Sequence, residues 1–442
     1  MRTYLLRRLL LMPVTLIGIT FIVFCLTRMV PGGPIERIMQ EHTMSALSGE
    51  KAGAGTVAMM SDADIERLED LFNLREPTWL AYLQWLGVRR KAVAVSREEM
   101  DEDGFARLTL TSGTGKARVL DVHREGTNLV YLSRPWFEEE GWLLRLESPH
   151  DRARTWARRH SVTDEERIRE YEESPACNKW RVVAYRKAYN GLLQGSLGRS
   201  YKYGEPVIYM IAERLPVSLY LGLLGAFITY LVSIPLGVFK ALTHKSIFDS
   251  LSSILIFIGY AVPGFALGAL MLVYLGARLE WFPLYGLVSP NFEQLGFWDQ
   301  CRDLMMHTAL PLTCYVVSTF AMTTMMMKNC LMEQLSADYV RTAVAKGVSY
   351  RVAVFRHALR NALIPIASTF GTVICTVVAG SVLIERVFDI QGFGMLSYQA
   401  MMDKDYTLMM GALLITSVFM IVGNLLSDIM VAFIDPRIRF DS

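Results

Sequence analysis

Six apolar runs in this 442-residue sequence contain no Asp, Glu, Lys or Arg. A charged side chain at the centre of a bilayer costs at least ~2.5 kcal/mol, and about 20 apolar residues span its hydrocarbon core. The absence of charge therefore predicts six transmembrane helices and argues against a purely soluble protein. The approximate limits of the runs are Leu9–Thr27, Pro216–Val238, Leu251–Gly276, Leu310–Met327, Ala362–Leu383 and Leu408–Leu426.

Features that would indicate an enzyme or a nucleic-acid-binding protein are also missing. The formal net charge is only +2, which gives no basis for binding nucleic acid. The seven His are scattered without His-Glu-x-x-His spacing, and no Gly-x-Ser-x-Gly nucleophile motif occurs. Gly113–Ala117 resembles a phosphate-binding loop only in part, because Leu110 stands at the position of its first glycine. We therefore expect no catalytic residue, metal site or cofactor in this chain.

Cysteine is sparse, with six residues in all. Cys25, Cys314, Cys330 and Cys375 lie in or beside apolar runs, where we interpret them as small apolar side chains. The other two, at 177 and 301, fall in segments assigned to the oxidising side of the membrane, so a disulfide between Cys177 and Cys301 is one hypothesis.

The distribution of basic residues predicts the orientation. Short cytoplasmic loops carry an excess of Lys and Arg, and one set of loops here is far richer in them. This predicts that both termini are cytoplasmic and that the first run is an uncleaved anchor. The rich set is Arg2, Arg7, Arg8, Lys240, Lys245, Lys328, Arg341, Lys346, Arg351, Arg356, Arg360, Arg437 and Arg439, against Arg278, Arg302 and Lys404 in the other short loops.

The long polar segment between the first two runs is then outside the cytoplasm, which in a bacterium means the periplasm. It includes a loose Gly/Ala/Ser-rich stretch, 45–58, and a helix that Ser61 would cap. Its central block, 88–188, has four strand-like runs separated by turn signals such as Ser112–Gly115, and a charged helix capped by Thr163. We predict a small inserted α+β domain. The four runs are 107–111, 117–120, 128–132 and 142–146.

The stretch from Asp338 to Pro365, between the fourth and fifth runs, reads as two short helices separated by a glycine stop. Ser336 is placed to cap the first helix, whose first turn carries Asp338. One face of that helix carries Val340, Ala343 and Val344 at helical spacing, and Gly347 supplies a left-handed stop. Spacing alone leaves docking to a partner and an ordinary amphipathic loop equally open. The basic residues that follow, which would pair with acidic partner residues or lipid phosphates, are Arg351, Arg356 and Arg360.

These motifs resemble the permease subunits of ATP-binding-cassette importers, in the dipeptide/oligopeptide branch. The resemblance covers nearly the whole chain outside 88–188 and is strongest to the Yej-type subgroup, importers associated with oligopeptides and microcin C. In the importer loop motif, the opening Glu-Ala corresponds to Arg341-Thr342 here, and Ala343 to its second alanine. Further matching motifs are Tyr4–Leu9, Pro31–Pro34, Tyr82–Gly87, Leu193–Ser200, Glu213–Pro216, Ile234–Gly237, Glu385–Phe388 with Gly392 and Gly394, and Asp435–Arg439.

The resemblance implies an all-α polytopic membrane protein with the type I importer permease fold, interrupted by the inserted domain. It implies a second homologous permease, two cytoplasmic ATPase domains that hold ATP and Mg²⁺, a periplasmic peptide-binding protein and surrounding lipid as partners. The expected segments are 1–29, 30–87, 88–188, 189–214, 215–434 with a coupling loop at about 329–361, and 435–442. The residues that the resemblance assigns to ATPase coupling are Asp338, Val340, Arg341, Thr342, Ala343, Lys346 and Gly347.

Gate or hinge candidates are Pro235, Pro263 and Glu385; passive span punctuation and a simple interfacial charge are the competing interpretations. Gly264 and Gly268 allow close helix packing, inside the chain or against a partner permease. We expect Asp428, near the inner end of the last run, to pair with a cation or cap backbone.

Two other functions stay open at this point. Permeases for nickel, glycosides or other small solutes are similar to those for peptides. A membrane-anchored sensor whose block 88–188 binds a ligand is the alternative from a different class, although the predicted cytoplasmic parts are short for an output domain. A proton-coupled carrier would place ionisable residues deep in the spans, which the uncharged runs do not.

Overall fold

The computed structural model describes residues 2–29, 66, 69–70, 76–111, 116–132, 134–159, 162–378 and 382–434. The chain forms two compact units, one of Met1–Pro34 with Leu197–Ser442 and the other of Ile35–Ser196. Predictions for Pro31–Pro34, the loop 45–58, the Ser61 cap, the Ser112–Gly115 turn and the tail 435–442 lie outside the described residues.

The helices of both units are numbered here along the chain. A one-turn helix, Tyr350–Val352, and a π-helical segment, Ala353–Ala358, lead directly into α11, and a second π-helical segment, Leu272–Arg278, continues α8. The helices are α1 (Arg2–Met29), α2 (Thr78–Leu86), α3 (Pro135–Glu139), α4 (Pro149–Arg159), α5 (Glu165–Glu173), α6 (Val207–Leu242), α7 (Ile247–Ala261), α8 (Gly264–Met271), α9 (Phe297–Ser336), α10 (Asp338–Ala345), α11 (Leu359–Val378), α12 (Val382–Val387), α13 (Phe393–Met402) and α14 (Tyr406–Ile434).

The first, second, fourth and sixth predicted apolar runs lie within α1, α6, α9 and α14. The third run is divided between α7 and α8 by a break at Val262–Pro263, and residues 379–381 of the fifth run lie outside the described residues. Within the described residues, α1, α6, α9 and α14 are long and apolar enough to cross a membrane, and α7 with α8 makes a fifth if that bent pair is one span. The fifth predicted run falls on α11, which is not among these. The chain is thus a helical membrane protein with several spanning helices, and the count of six stays a prediction.

Small residues allow the long helices to approach one another closely. At Gly237 of α6, an added Cβ would lie 2.6 Å from Met327 Cβ of α9. The backbones of α11 and α14 meet at Gly371 and Gly423, and the Gly371 amide donates to Ser427 Oγ at 2.6 Å. At these points α6 packs against α9, and α11 against α14, without large side chains between the helices.

The second unit contains two three-stranded antiparallel sheets, ordered β1-β6-β5 and β2-β3-β4. Burial alternates along β2 and β3, which place buried side chains on one face. Gly126, at a φ of 66°, makes the tight turn between β3 and β4. The apolar core includes Leu108, Leu120 and Trp142. The strands are β1 (Lys91–Glu99), β2 (Phe105–Thr111), β3 (Ala117–Glu125), β4 (Asn128–Tyr131), β5 (Trp142–Glu147) and β6 (Arg181–Ala188).

The four strand-like runs predicted from the sequence are therefore strands, whereas β1 and β6 were not predicted. These two pair with each other through most of their length, and β6 is the central strand of its sheet. Its sequence, Arg-Val-Val-Ala-Tyr-Arg-Lys-Ala, buries four consecutive residues instead of alternating. A strand covered on both faces lacks the two-residue period on which the prediction depended.

One further prediction in this unit was wrong. The cap of α5 is Asp164, whose Oδ1 accepts from the Glu166 amide at 3.1 Å, and not Thr163. A carboxylate adds its charge to the hydrogen bond at a positive helix end, which favours it over the neighbouring hydroxyl. The hypothesis of a Cys177–Cys301 disulfide gains no support, since both cysteines are free thiols. Cys177 is buried, and its Sγ donates to Pro149 O at 3.3 Å.

Candidate functional site: the α10 surface and the Glu385 corner

The short helix α10 begins one residue after the 40-residue α9 ends. Ala337, with extended backbone, separates them, and no side chain caps α10. The predicted cap by Ser336 is wrong, because α9 continues through Ser336 and its Oγ donates back to Glu333 O at 2.7 Å. Asp338 does lie in the first turn, where its negative charge complements the positive helix end.

The end of α10 follows the prediction. Gly347 has a φ of 88°, a conformation that costs glycine little. Its amide donates to Val344 O at 2.9 Å, and the Val348 amide donates to Ala343 O at 3.2 Å. This pair of bonds is the Schellman arrangement, which satisfies the last carbonyls and turns the chain sharply into the next helix.

Val340 attaches α10 to the rest of the helical unit. Its side chain is 3% exposed and belongs to a buried apolar cluster formed with α6, α9 and α11. Ala343 is half-buried and Val344 is 40% exposed, so the predicted apolar face contacts its own chain mainly through Val340. We call this cluster the α10 seat; its fully buried members are Val238, Ala241, Met327, Leu331, Val340, Ala353, Ala358, Ala362 and Ile366.

Tyr339 fixes the position of α10 from a second direction. Its hydroxyl donates to Gln334 Oε1 of α9 at 2.8 Å and accepts from Asn361 Nδ2 of α11 at 3.1 Å. One phenol thus connects three helices beside the seat. Sequence reasoning missed this bridge, because residues 5 and 22 positions away are brought together by the turn at Gly347.

The opposite side of α10 is open. Arg341, Thr342 and Lys346, all predicted to contact an ATPase, are exposed. The segment before α11 extends this surface with the exposed side chains of Arg351, Val352, Phe355 and Arg356, which line a shallow groove. Arg360 is used differently: its Nε donates to Ile434 O at the end of α14, at 2.7 Å. The exposed face combines positive charge with apolar area and rests on a buried seat.

The hinge candidates differ in their surroundings. Pro235 lies inside α6, which continues as helix on both sides of it. Pro263 stands between α7 and α8, which meet at an angle of 88°. Proline removes a backbone donor and disfavours helix in the residue before it, which accounts for the break. Gly264 and Gly268 pack inside the chain, against Cys314 and Ser318 of α9 and against Phe388.

Glu385 is fully buried, and its carboxylate organises a corner between α12 and α13. It accepts from Ser218 Oγ of α6 at 3.0 Å and from the Met395 amide at 2.6 Å. Ser218 Oγ also accepts from the Phe393 amide at 2.7 Å. The acid therefore sits at the N-terminus of α13, where free amides and the helix dipole favour negative charge. Gly392 is required there, because an added Cβ would lie 2.6 Å from the carboxyl carbon.

Asp428 pairs with Arg8, which confirms the expected cation partner and ties α14 to α1. Among the residues that the structure describes, no group of three or more His, Cys, Asp or Glu is placed to hold a metal ion.

Comparison with known proteins places this architecture in a family. Residues 233–440 match the family model described as binding-protein-dependent transport system inner membrane component. The peptidoglycan transport system permease protein YejB of Agrobacterium fabrum is 39% identical over 281 residues, which cover 63% of this chain and 77% of that protein. The inner membrane ABC transporter permease protein YejB of Escherichia coli O157:H7 is 41% identical over 238 residues, 53% of this chain and 65% of that protein.

The oligopeptide transport system permease protein AppB of Bacillus subtilis is 34% identical over 272 residues, covering 61% of this chain and 84% of that protein. Among solved structures, an inward-facing MetNI methionine ABC transporter is similar at 16% identity with a TM-score of 0.41, covering 52% of this chain and 99% of that one. That structural likeness is too weak to establish the fold. The identity and coverage shared with the Agrobacterium and Bacillus permeases do establish kinship: the chain belongs to the binding-protein-dependent transport system inner membrane components.

Proposed function

We propose that this chain is the transmembrane permease subunit of an ATP-driven importer that brings peptides or peptide-like compounds across a bacterial inner membrane. The observation that carries the proposal is the α10 surface: an exposed, partly basic helix face on a buried seat, within a chain of the permease family. The names of the relatives, which refer to peptidoglycan and oligopeptide transport, favour peptide-like cargo over nickel or another small solute.

In this proposal the fold is that of a type I importer permease with six spans and both termini in the cytoplasm. The unit of residues 35–196 then lies in the periplasm, where it contacts the binding protein or the partner permease. A second permease completes the pathway, and two cytoplasmic ATPase domains hold ATP and Mg²⁺. The chain itself carries no chemical step.

Coupling then depends on the seat of α10. When the ATPases close on ATP, they displace α10, and Val340 transmits the displacement to α6 and α9 because the two helices pack around it without intervening space. Asp338, Arg341, Thr342, Ala343 and Lys346 would contact the ATPase, and Gly347 would keep the helix end fixed. The ends of α6 and α9 would then move as rigid bodies, and this movement would open the pathway.

The corner at Glu385 supports a role in bracing the outer gate. The carboxylate joins α6 to α13 through Ser218, and it is buried within this chain. The burial of Glu385 argues against a direct contact with a binding protein, because such a contact needs an exposed side chain.

Co-purification tests the proposal directly. The tagged chain is extracted gently from its native membrane after crosslinking in cells, and the recovered proteins are identified by mass spectrometry. Recovery of a second permease with one or two ABC ATPases is the expected result. Uptake of an isotope-labelled tryptic digest by the same cells, lost on deletion of the chain, identifies the cargo as peptide. Recovery of the chain alone would contradict the proposal.

A further inference from the structure

A buried cluster of charges lies at the ends of α6, α7 and α9. Asp249, in the first turn of α7, is 4% exposed. Its two carboxylate oxygens accept from Lys328 Nζ of α9 at 2.7 and 2.8 Å. Lys240 Nζ of α6 lies 3.1 Å from the same carboxylate. We call Lys240, Asp249 and Lys328 the charge joint.

Lys240 uses all of its hydrogen-bond donors within the chain. Lys240 has no exposed surface, and its ammonium donates to Asp249 O at 2.8 Å, to Ser252 Oγ at 2.7 Å and to Ser253 Oγ at 2.8 Å. An ammonium has three donors, and each has an acceptor here. Removal of one partner would leave an uncompensated buried charge, which is far costlier than the loss of an exposed pair.

The loop between α6 and α7 is bound to the same carboxylate. The Lys245 amide donates to Asp249 Oδ2 at 3.2 Å, with Lys245 at a positive φ of 66°. His244 Nδ1 lies 3.4 Å from Asp249 Oδ2 and is partly exposed. Asp249 therefore fixes how the chain passes from α6 into α7, as well as joining both to α9.

The charge joint and the α10 seat occupy the same two helix ends. On α6, Lys240 lies between Val238 and Ala241, which are both in the seat. On α9, Lys328 follows Met327 and precedes Leu331, again both in the seat. Any displacement of these ends by α10 is therefore applied within one helical turn of the joint.

Beyond its first turn, α7 buries few of its side chains against the chain. Of its 15 residues, Asp249 and Ile256 are the buried ones. Large apolar side chains point outward along it, including Ile247 at 87% and Leu255 at 63% exposed. At its other end, the break at Pro263 and the 88° bend separate it from α8. The first turn of α7 is thus held by the charge joint, and a sharp bend follows its last turn.

From this arrangement we infer that the charge joint makes α7 a lever driven by α10. Displacement of α10 moves the ends of α6 and α9, the joint carries the first turn of α7 with them, and the bend at Pro263 allows α7 to swing relative to α8. Lys240, Asp249 and Lys328 are positioning residues for transport. The inference rests on the proposed function, because it requires ATPases that displace α10.

A pair of distance measurements tests the lever. Genetically encoded spin labels are placed at the exposed positions Ile247 on α7 and Ala345 at the end of α10, in the complete transporter with its ATPases. We expect the distance between these labels to stay constant between nucleotide-free and ATP-bound states in the otherwise unmodified chain. In Asp249→Asn, which keeps the side-chain shape, the distance should broaden and shift with ATP.

Transport provides the second readout. Asp249→Asn should lower uptake of an isotope-labelled tryptic digest by about tenfold or more, because the charge joint loses its only negative charge. The ATPases should stay bound and continue to hydrolyse ATP. Lys328→Arg keeps the positive charge and should retain most of the uptake. Loss of ATP hydrolysis and uptake together, in proportion to protein lost, would show a merely structural role and overturn the lever.

The outcomes separate the two ideas. If the unmodified chain recruits ATPases but its Ile247–Ala345 distance changes with ATP, the lever is wrong and the proposed function stands. If Asp249→Asn imports peptides normally, the lever is again wrong. If the unmodified chain recruits no ATPase, the proposed function fails and the lever fails with it. The distance between the two labels in the chain that keeps Asp249 tests the lever even if the Asp249→Asn variant does not assemble.

Discussion

Glu385 and Ser218, which are 167 residues apart in the sequence, form a buried hydrogen bond of 3.0 Å that joins α12 to α6. Ser218 also receives the Phe393 amide, and Glu385 receives the Met395 amide, so the two side chains together cap α13. The corner thus depends on one acid and one hydroxyl, each with more than one partner.

Replacement of Glu385 by alanine should destabilise the protein. Buried donors on Ser218 and Met395 would lose their acceptor, at a cost of about 1–3 kcal/mol for each group. Glu385→Gln keeps one acceptor oxygen and should fall between alanine and the wild type. Thermal unfolding of the purified full chain measures the effect, with exposed Glu293→Ala as the matched control. Equal unfolding temperatures for Glu385→Ala and Glu293→Ala would contradict the capping role.

The two valines of α10 should respond differently to truncation. Val340 is 3% exposed in the seat and Val344, one turn later, is 40% exposed. Val340→Ala should cost about 1–3 kcal/mol of packing and lower peptide uptake by loosening α10. Val344→Ala, the same change on the same helix, should leave unfolding unaffected. The account is wrong if both variants unfold at the same temperature.

The crossing of α11 and α14 should not tolerate an added methyl group. At Gly371 a Cβ would overlap the Gly423 carbonyl, and backbone atoms cannot move aside as a flexible side chain would. Gly371→Ala should therefore destabilise the full chain by about 1–3 kcal/mol or more. At Gly259 the nearest atom to a new Cβ is Val317 Cγ1 at 3.7 Å, so Gly259→Ala should be neutral or stabilising. Unfolding temperatures that rank the two variants in the opposite order would contradict this packing.

Acid should weaken the inserted unit through Glu147. Burial opposes ionisation of this carboxyl, but hydrogen bonds and charge from Arg181, with a contribution from Arg145, lower the pKa of Glu147 below its usual 4.5. Arg181 Nη2 donates to Glu147 Oε2 at 2.6 Å. Because the pKa of Glu147 is lower in the folded state than in the unfolded state, ionised Glu147 stabilises the folded protein. This stabilisation is complete at pH values above the ordinary pKa of a glutamate, and it is lost as the pH falls through the lowered pKa of the folded state.

Tryptophan fluorescence of the full chain can follow this loss. Glu147→Gln cannot titrate, so its unfolding temperature should fall less steeply than that of the wild type below about pH 4.5. Identical pH profiles would contradict the role of the Glu147–Arg181 pair. Most of the eight tryptophans belong to this unit, namely Trp79, Trp85, Trp136, Trp142, Trp156 and Trp180.

The local features of the fold could be predicted from the sequence where they depend on neighbours along the chain. Four of the six apolar runs lie within single helices, and the Gly347 stop and the strand pair around Gly126 follow from local rules. The helices α6 and α9 extend well past their apolar runs, because 36 and 40 residues of helix continue into polar flanks. The length of an uncharged run indicates which part of a helix lies in the hydrocarbon core, but it does not indicate where the helix ends.

Long-range contacts account for what was missed. Asp249 meets Lys328 across 79 positions, and nothing in either local pattern distinguishes these residues from ordinary loop-flanking charges. The burial of Glu385 and the bridge by Tyr339 likewise exist only once the helices pack. Sequence reasoning located the α10 surface, Val340 and the Gly347 stop, but not the Tyr339 bridge or the charge joint.

The most direct test of the central claim is a photo-crosslink from α10 in living cells. A photoreactive amino acid is placed at exposed Thr342 of α10, and in a control chain at exposed Arg302, in the first turns of α9 and 40 positions away in the sequence. Capture of an ABC ATPase at Thr342 and not at Arg302, with peptide uptake retained, is the result that the account predicts. Capture of no ATPase at Thr342, in cells whose uptake depends on this chain, would contradict it.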